Sequence, residues 1–304
     1  MPPTHHRTLK KATGCVGIGL HSGRPVAMTV RPAPADHGIV FVRADDGGRR
    51  VRALAANVQH TRFATTLAEN GTSISTTEHI LSALCALGID NALIEVEGAE
   101  VPILDGSAAP FLFLLHEAGT VELAEPRRTL VIHEPVAVVE NGRRISVEPA
   151  AELTVSYAVD FRDPVVSVQR FQGRLDARTY VEEIAPARTF CFLKDVEGLR
   201  RQGLALGGSL DNAVVVGEHG VLNDSLRFPD EFVRHKVLDL IGDLALLGAA
   251  LVGHVRAECA GHHLHTRLVR EILARPGCWH LQSDGGRAAA LRGPAAGAGM
   301  SAAL

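Results

Sequence analysis

The chain has 304 residues, 46% of them hydrophobic and 21% charged, which is enough apolar material for one large soluble domain or two ordinary ones. Its formal net charge of −3 and pI near 6.6 give no basic footprint, so we expect no nucleic-acid partner. The five cysteines are scattered without any C-x-x-C pair, which argues against a disulfide framework and indicates a reducing compartment.

We expect neither a secretory signal nor a membrane-spanning segment. It opens with MPPTHHRTLKK, which contains no hydrophobic core of the signal-peptide kind. The longest apolar stretch, residues 238–252, contains Asp239 and Asp243, and a membrane span would bury both carboxylates. We therefore expect a cytoplasmic protein without a transmembrane segment.

The first part of the chain predicts strands followed by a helix, a strand and a second helix. Apolar runs near residues 17–48 alternate with Gly- and Pro-rich breaks, which is typical of strands joined by turns. Ser75 lies three residues before Glu78, a capping-box pattern, and leucines then keep helical spacing to Gly88. A strand, NALIEVEG, and a helix closed by Gly119 follow.

The later part repeats this order of elements. FVRHKVLDLIGDLALLG predicts a helix ending at Gly248, ALVGHVRAECAG a strand, and HHLHTRLVREILARPG a second helix. The shared order predicts an α+β fold of two similar domains, each a β-sheet packed on two helices. We assign the N-terminal domain to residues 1–125 and the C-terminal domain to residues 126–285. The Ala/Gly-rich tail, residues 286–304, is predicted to be disordered.

A polar stripe interrupts the most apolar of these helices. His235, Asp239 and Asp243 follow one another at intervals of four residues and therefore lie on one helix face. A solvent-exposed stripe with i,i+4 pairing is one interpretation. A metal site is the other, because His and Asp one turn apart can bind the same cation. Spacing alone does not decide between them.

Two similar halves would bring His79 to this stripe across the domain boundary. His79, His235 and Asp239 then supply three ligands, the number that a catalytic zinc uses while one position stays open. Glu78 could take a proton from water, and a histidine of GHHLH could protonate a leaving group. Each also has a structural interpretation, since Glu78 fits the capping box and most histidines lie at the surface.

These residues belong to a longer series of motifs: HRTLKKATGCVGIGLHSG, TTEHILSALCALGIDN, VPILDGSAAPF, PARTFCFLKD, LALGGSLDNAVVV, LRFPDEFVRHKVLDLIGDL and AGHHLHTRLV. On them the chain resembles the UDP-3-O-acyl-N-acetylglucosamine deacetylases, the zinc hydrolases of lipid A biosynthesis in Gram-negative bacteria. The resemblance covers nearly the whole chain except the tail. It implies a β-α-α-β sandwich in which the helices of both domains form a shared inner layer around the active site.

The resemblance implies that His79, His235 and Asp239 bind zinc and that Glu78 is the general base. Zinc would polarise the substrate amide and lower the pKa of the attacking water, and acetate and a free amine would result. Histidine and carboxylate ligands suit iron(II) as well, so the sequence leaves both metals open.

His262 matches the general acid of the family, which leaves His263 and His265 as bystanders. Asp243 matches the carboxylate that orients His262 and thereby explains the third member of the polar stripe. The chain departs from the family at one point. Amide side chains commonly follow the acid histidine, where this sequence has His265 and Thr266.

The remaining implied residues contact substrate. Thr189 matches the group that stabilises the oxyanion, and Lys236 matches a polar contact near the reacting group. An insert at about residues 193–216 matches the segment that forms an apolar passage for the acyl chain. We place Phe190, Leu204 and Leu206 against the acyl chain, and Phe161 is the candidate for stacking on the uridine.

Two other functions stay open at this stage. A nucleotide-sugar binding protein could keep the fold and the metal, although it would need neither Glu78 nor His262. An enzyme acting on other acylated sugars is the second alternative, since the sequence does not set the acyl length.

The expected activity is hydrolysis of the N-acetyl group of UDP-3-O-acyl-N-acetylglucosamine, the committed step of lipid A biosynthesis. We expect the enzyme to be a monomer.

Overall fold

The computed structural model of the chain describes residues 4–283, so the tail at 286–304 lies outside the described residues. The strands of the first half are β1 (His5–Leu9), β2 (Thr13–Ile18), β3 (Pro25–Pro32), β4 (Ile39–Arg43), β5 (Arg49–Arg52), β6 (Val58–His60), β7 (Thr66–Glu69), β8 (Thr72–Ile74), β9 (Ala92–Val96) and β10 (Thr120–Pro126). Its helices are α1 (Glu78–Ala86) and α2 (Ala109–Ala118).

The second half has the same mixture of elements. Its strands are β11 (Arg128–Ile132), β12 (Val136–Glu140), β13 (Arg143–Glu148), β14 (Thr154–Val159), β15 (Gln169–Arg174), β16 (Phe190–Phe192), β17 (Val214–Val216), β18 (Ala250–Val252), β19 (His254–Glu258) and β20 (Trp279–Ser283). Its helices are α3 (Ala177–Thr179), α4 (Leu193–Arg201), α5 (Glu231–Leu244) and α6 (His262–Ala274). No helix in residues 4–283 is both long and apolar enough to cross a membrane.

The two halves contain equivalent five-stranded sheets. The strand order is β2-β3-β9-β4-β5 in the first and β12-β13-β19-β14-β15 in the second. In each sheet the central strand, β9 or β19, is antiparallel to one neighbour and parallel to the other. The α+β fold of two similar units is therefore confirmed. The domain boundary at 125/126 stays a prediction, and it falls at the end of β10, which pairs with β1.

One detail of the predicted repeat is wrong. The segment ALVGHVRAECAG forms two strands, β18 and β19, in different sheets. Gly253 separates them, and a Cβ atom at this position would lie 2.9 Å from Cγ2 of Val147. The close approach to β13 requires a residue without a side chain there, and the chain changes sheets at the same point.

Helix α5 lies at the centre of the molecule. It packs against α1 on one side and against α6, β14 and β15 on others, so helices of both halves meet in an inner layer. All of its 14 residues except Arg234 and Lys236 are buried. Because burial of one leucine side chain contributes roughly 1.5–3 kcal/mol, this helix is a major part of the core. Its buried polar residues exclude the solvent-exposed stripe.

The contact between α1 and α5 depends on a glycine. A Cβ atom at Gly242, in the last turns of α5, would overlap the backbone carbonyl of Glu78 at the start of α1. The missing side chain thus allows the two backbones to touch where the polar residues of both helices lie. Substitution at this position forces either a helix shift or an overlap, and both cost free energy.

We expect Gly242→Ala to lower the free energy of unfolding by about 1–3 kcal/mol, the usual cost of overpacking a core. Gly198→Ala is the matched control, because Gly198 lies within α4 and nothing would lie within 4 Å of its Cβ. The control should gain up to about 1 kcal/mol through helix propensity. Urea denaturation of both variants checks this, and a Gly242→Ala protein as stable as the control would contradict the close helix contact.

Candidate active site

Three buried residues converge where α1 meets α5. His79 lies in the first turn of α1, and His235 and Asp239 lie one turn apart on α5. The Nε2 atoms of His79 and His235 lie 3.7 and 3.3 Å from Oδ1 of Asp239. The two imidazole rings meet edge to face with their centroids 5.1 Å apart. Sequence positions more than 150 residues apart are thus brought into one group.

The chemistry of this group fits a bound metal ion. Its ligand atoms all lie within 4.8 Å of one another, and Oδ1 of Asp239 is buried without a hydrogen-bond partner among the described residues. His235 Nδ1 donates to the carbonyl of Ala187 over 3.0 Å, which leaves Nε2 free to bind a cation. Burial, followed by the neighbouring His235, lowers the pKa of His79 to about 3, so its imidazole is neutral, as a metal ligand must be.

Glu78 begins α1 and points into the same space. Its Oε2 accepts a hydrogen bond from the backbone N–H of Thr65 over 3.1 Å, and its Oε1 lies 3.9 Å from Nε2 of His262. The helix N-cap is Thr77, so the capping-box interpretation of Ser75 and Glu78 is wrong. Burial raises the pKa of Glu78 to about 7. A carboxyl with such a pKa suits a general base at neutral pH.

His262 begins α6 and faces Glu78 across the group. Its Nδ1 donates to Oδ2 of Asp243 over 2.8 Å, and its Nε2 lies 3.7 Å from Oδ2 of Asp239. Burial favours the neutral ring, but the adjacent carboxylates of Asp243 and Asp239 outweigh it and raise the pKa of His262 to about 9. The ring is therefore an imidazolium at neutral pH, and its Nε2–H lies close to the carboxylates of Glu78 and Asp239.

Asp243 accepts three hydrogen bonds deep in the core. Besides His262, its Oδ2 accepts Nδ1–H of His265 over 2.9 Å, and its Oδ1 accepts the hydroxyl of Thr65 over 2.5 Å. His265 is fully buried, which excludes a surface position for it, whereas its classification as a bystander in catalysis stays a prediction. His263, in contrast, is exposed, and its ring Nε2 lies 3.1 Å from Oε2 of Glu140.

A cavity of about 920 Å³ opens beside these residues. Lys236 lines it and donates from Nζ to Oδ2 of Asp239 over 2.7 Å. Phe190 forms part of the wall, with its ring centroid 6.2 Å from that of His235 and 5.2 Å from that of Phe161. The lining includes apolar side chains, Phe192, Leu199, Leu210, Val215 and Leu222, and also the charged Lys194, Asp195, Arg200 and Arg201.

Thr189 also lines the cavity and is held by neighbouring backbone. Its N–H donates to the carbonyl of Gly106 over 2.8 Å, and its own carbonyl accepts from Val214 over 2.8 Å. The preceding Arg188 forms a buried ion pair with Glu231 at the start of α5, with Nε and Oε1 2.9 Å apart. Thr189 is therefore fixed relative to the helix that contains His235 and Asp239.

A family model described as UDP-3-O-acyl N-acetylglycosamine deacetylase matches residues 6–274 of the chain. The chain belongs to this family. A UDP-3-O-acyl-N-acetylglucosamine deacetylase of Syntrophotalea carbinolica is 48% identical over 284 residues, which cover 92% of each chain. One of Oleidesulfovibrio alaskensis is 49% identical over 267 residues, covering 87% of this chain and 88% of that protein. The matched region includes the whole buried polar group.

Membership identifies the chain as a deacetylase of a metalloenzyme family. Within this deacetylase the predicted ligands, base and acid lie together at the junction of α1, α5 and α6. Their individual roles stay predictions.

Leu204 and Leu206 do not line the cavity, and Leu206 is 51% exposed, whereas Ala205 between them does line it. Thr65 was missed, because a threonine within an apolar run gives no sequence signal of contact with a carboxylate far along the chain.

Proposed function

We propose that this deacetylase hydrolyses the N-acetyl group of UDP-3-O-acyl-N-acetylglucosamine with zinc bound by His79, His235 and Asp239. The supporting observation is the juxtaposition of three buried potential metal-ligand atoms, a buried carboxyl and a buried imidazole in the lining of one large cavity. The substrate is the one named for the similar deacetylases. The products are UDP-3-O-acyl-glucosamine and acetate, and the step belongs to lipid A biosynthesis.

The chain's own residues perform the proton transfers of this hydrolysis. A bound zinc ion would polarise the amide carbonyl and favour ionisation of the attacking water. Glu78 takes one proton from this water as its oxygen bonds to the carbonyl carbon. The hydroxyl of Thr189 and the ammonium of Lys236 stabilise the negative charge that develops on the carbonyl oxygen. As the C–N bond breaks, Nε2–H of His262 gives its proton to the departing amine.

Acetate release from UDP-3-O-acyl-N-acetylglucosamine, measured with and without a chelator, tests this proposal. Release that stops on chelation and returns with added metal supports a metal-dependent hydrolase. Binding of the nucleotide sugar without turnover would instead support the binding protein. Metal analysis of the same sample distinguishes zinc from iron(II), which the ligand set alone does not. Cytoplasmic location and a monomeric state stay predictions, and gel filtration tests the latter.

We also propose that the apolar part of the cavity holds the acyl chain. We expect Leu210→Asp to slow turnover of a long-acyl substrate more than that of a short-acyl analogue, because Leu210 lines the cavity. Each methylene that the charge deprives of an apolar contact forfeits roughly 0.8 kcal/mol. Leu210 is already 48% exposed, so the substitution should leave the fold intact.

Leu206→Asp is the companion variant, because Leu206 lies in the same segment and is equally exposed but does not line the cavity. Steady-state rates on both substrates decide the matter. A selective loss on the long-acyl substrate at 206 and not at 210 would restore the sequence-based assignment. Equal losses on both substrates at 210 would show that this wall does not hold the chain.

A further inference from the structure

His265 occupies a fully buried place behind the predicted general acid. Its Nδ1 lies 2.9 Å from Oδ2 of Asp243, the same oxygen that accepts Nδ1–H of His262 over 2.8 Å. On its other side, Nε2 lies 2.9 Å from the hydroxyl of Tyr157, which donates to the carbonyl of Ala260 over 2.9 Å. His265 therefore connects the Asp243 carboxylate to Tyr157 on β14, a strand of the five-stranded sheet of the second half.

The hydrogen positions follow from these partners. Asp243 is a carboxylate and can only accept, so Nδ1 of His265 must carry a hydrogen. This holds whether the His265 ring is neutral or cationic. The hydroxyl of Thr65, from the other half of the molecule, donates to Oδ1 of the same carboxylate. Both oxygens of Asp243 are thus fixed by donors other than His262.

We propose that His265, itself held by Tyr157, is a positioning residue for the general acid, because it fixes the Asp243 carboxylate in the orientation that His262 requires. A rotation of that carboxylate would break its hydrogen bond with Nδ1–H of His262. The His262 ring could then turn, and its Nε2–H would no longer face the departing amine. This inference rests on the proposed function, since His262 needs an orientation only if it protonates a leaving group.

Replacement of His265 tests the inference, because one substitution removes the donor and another keeps it. His265→Leu fills the space without an N–H, and kcat should fall about 10–100-fold, the usual effect of losing an orienting partner. KM should stay within about twofold, and bound metal should be retained. His265→Asn places its Nδ2–H where the ring Nδ1–H lies, so it should restore most of the lost kcat. The control is His263→Leu, on the exposed face of the same helix.

Tyr157→Phe is the milder variant and keeps the inference testable if His265→Leu fails to fold. It removes only the hydroxyl, so kcat should fall less than in His265→Leu while KM again stays constant. A His265→Leu or Tyr157→Phe enzyme with full kcat per bound metal would overturn the inference. So would a His265→Asn enzyme as slow as His265→Leu, because the donor would then not matter.

A double-mutant cycle separates this inference from the proposed function on which it rests. If His265 acts through His262, His265→Leu should cost nothing further in an enzyme that already has His262→Ala. Multiplying losses would show that His265 acts elsewhere and would overturn the inference alone. A fully active His262→Ala enzyme would instead remove the general acid from the proposed function, and the positioning role would fall with it.

Discussion

Alanine at His79, His235 or Asp239 should remove bound metal and activity together. Each residue supplies one of only three ligand atoms, all within 4.8 Å of one another. A site of three protein ligands that loses one keeps two, which is below the number found in catalytic zinc sites. Because metal contributes several kcal/mol of transition-state stabilisation, we expect a loss of at least about 10³-fold in kcat/KM. Metal content and acetate release, measured on the same samples, check the coupled loss.

Lys236→Met is the matched control for these three variants. Lys236 lies on the same helix and its Nζ is 2.7 Å from Oδ2 of Asp239, but an ammonium group cannot bind a cation. The variant should retain its metal even if its rate falls. A His235→Ala protein that keeps both full metal and full activity would rule out the ligand assignment. Loss of stability with unchanged metal content would show that the three residues are a structural polar cluster.

The juxtaposition of His79, His235 and Asp239 could be predicted from sequence because two patterns point to it. His235 and Asp239 are four residues apart on an apolar helix, and the repeated order of elements predicts a second helix, bearing His79, in the same layer. The equivalent strand orders of the two sheets explain why that repeat was informative. A buried helix face with two ionisable groups requires partners, and the repeated order places His79 of the other half within reach of them.

The residues that contact Asp243 could not be predicted from sequence in the same way. Thr65 and His265 reach its carboxylate only after α1, α5 and α6 have packed together, and neither follows a spacing rule relative to it. Ser75 and Glu78 illustrate the opposite failure. Their spacing fits a capping box, but the carboxylate instead accepts from the backbone of Thr65, a tertiary partner that local pattern does not reveal.

Glu78 and His262 should give kcat/KM a bell-shaped dependence on pH. Glu78 must be ionised to accept a proton, so activity is lost as pH falls through its pKa of about 7. His262 must be protonated to donate, so activity is lost as pH rises through its pKa of about 9. A bound cation favours the carboxylate form of Glu78 and disfavours the imidazolium form of His262, so both limbs of the metal-loaded enzyme should lie at lower pH than these two values.

Substitution is needed to assign the two limbs, because water activated by zinc also ionises near neutral pH. His262→Ala should keep its metal, lose about 10²–10⁴-fold in rate and lose the alkaline limb. Glu78→Ala should also keep its metal but lose the acidic limb. His263→Ala, an exposed neighbour on the same helix, should leave both limbs in place.

The pH profile also distinguishes catalysis from a structural role for either residue. If Glu78 only accepted the hydrogen bond from the backbone N–H of Thr65, Glu78→Ala would lower the free energy of unfolding and leave the profile unchanged. If His262 only supplied a hydrogen bond to Asp243, its loss would destabilise the core without changing the pH of the alkaline limb. Oε1 of Glu78 and Nε2 of His262 lie 3.9 Å apart, and the predicted metal ligand Asp239 lies beside them. A base that takes a proton from water and an acid that gives one to the leaving amine need this proximity. A metal-loaded His262→Ala enzyme that keeps its alkaline limb would exclude His262 as the acid.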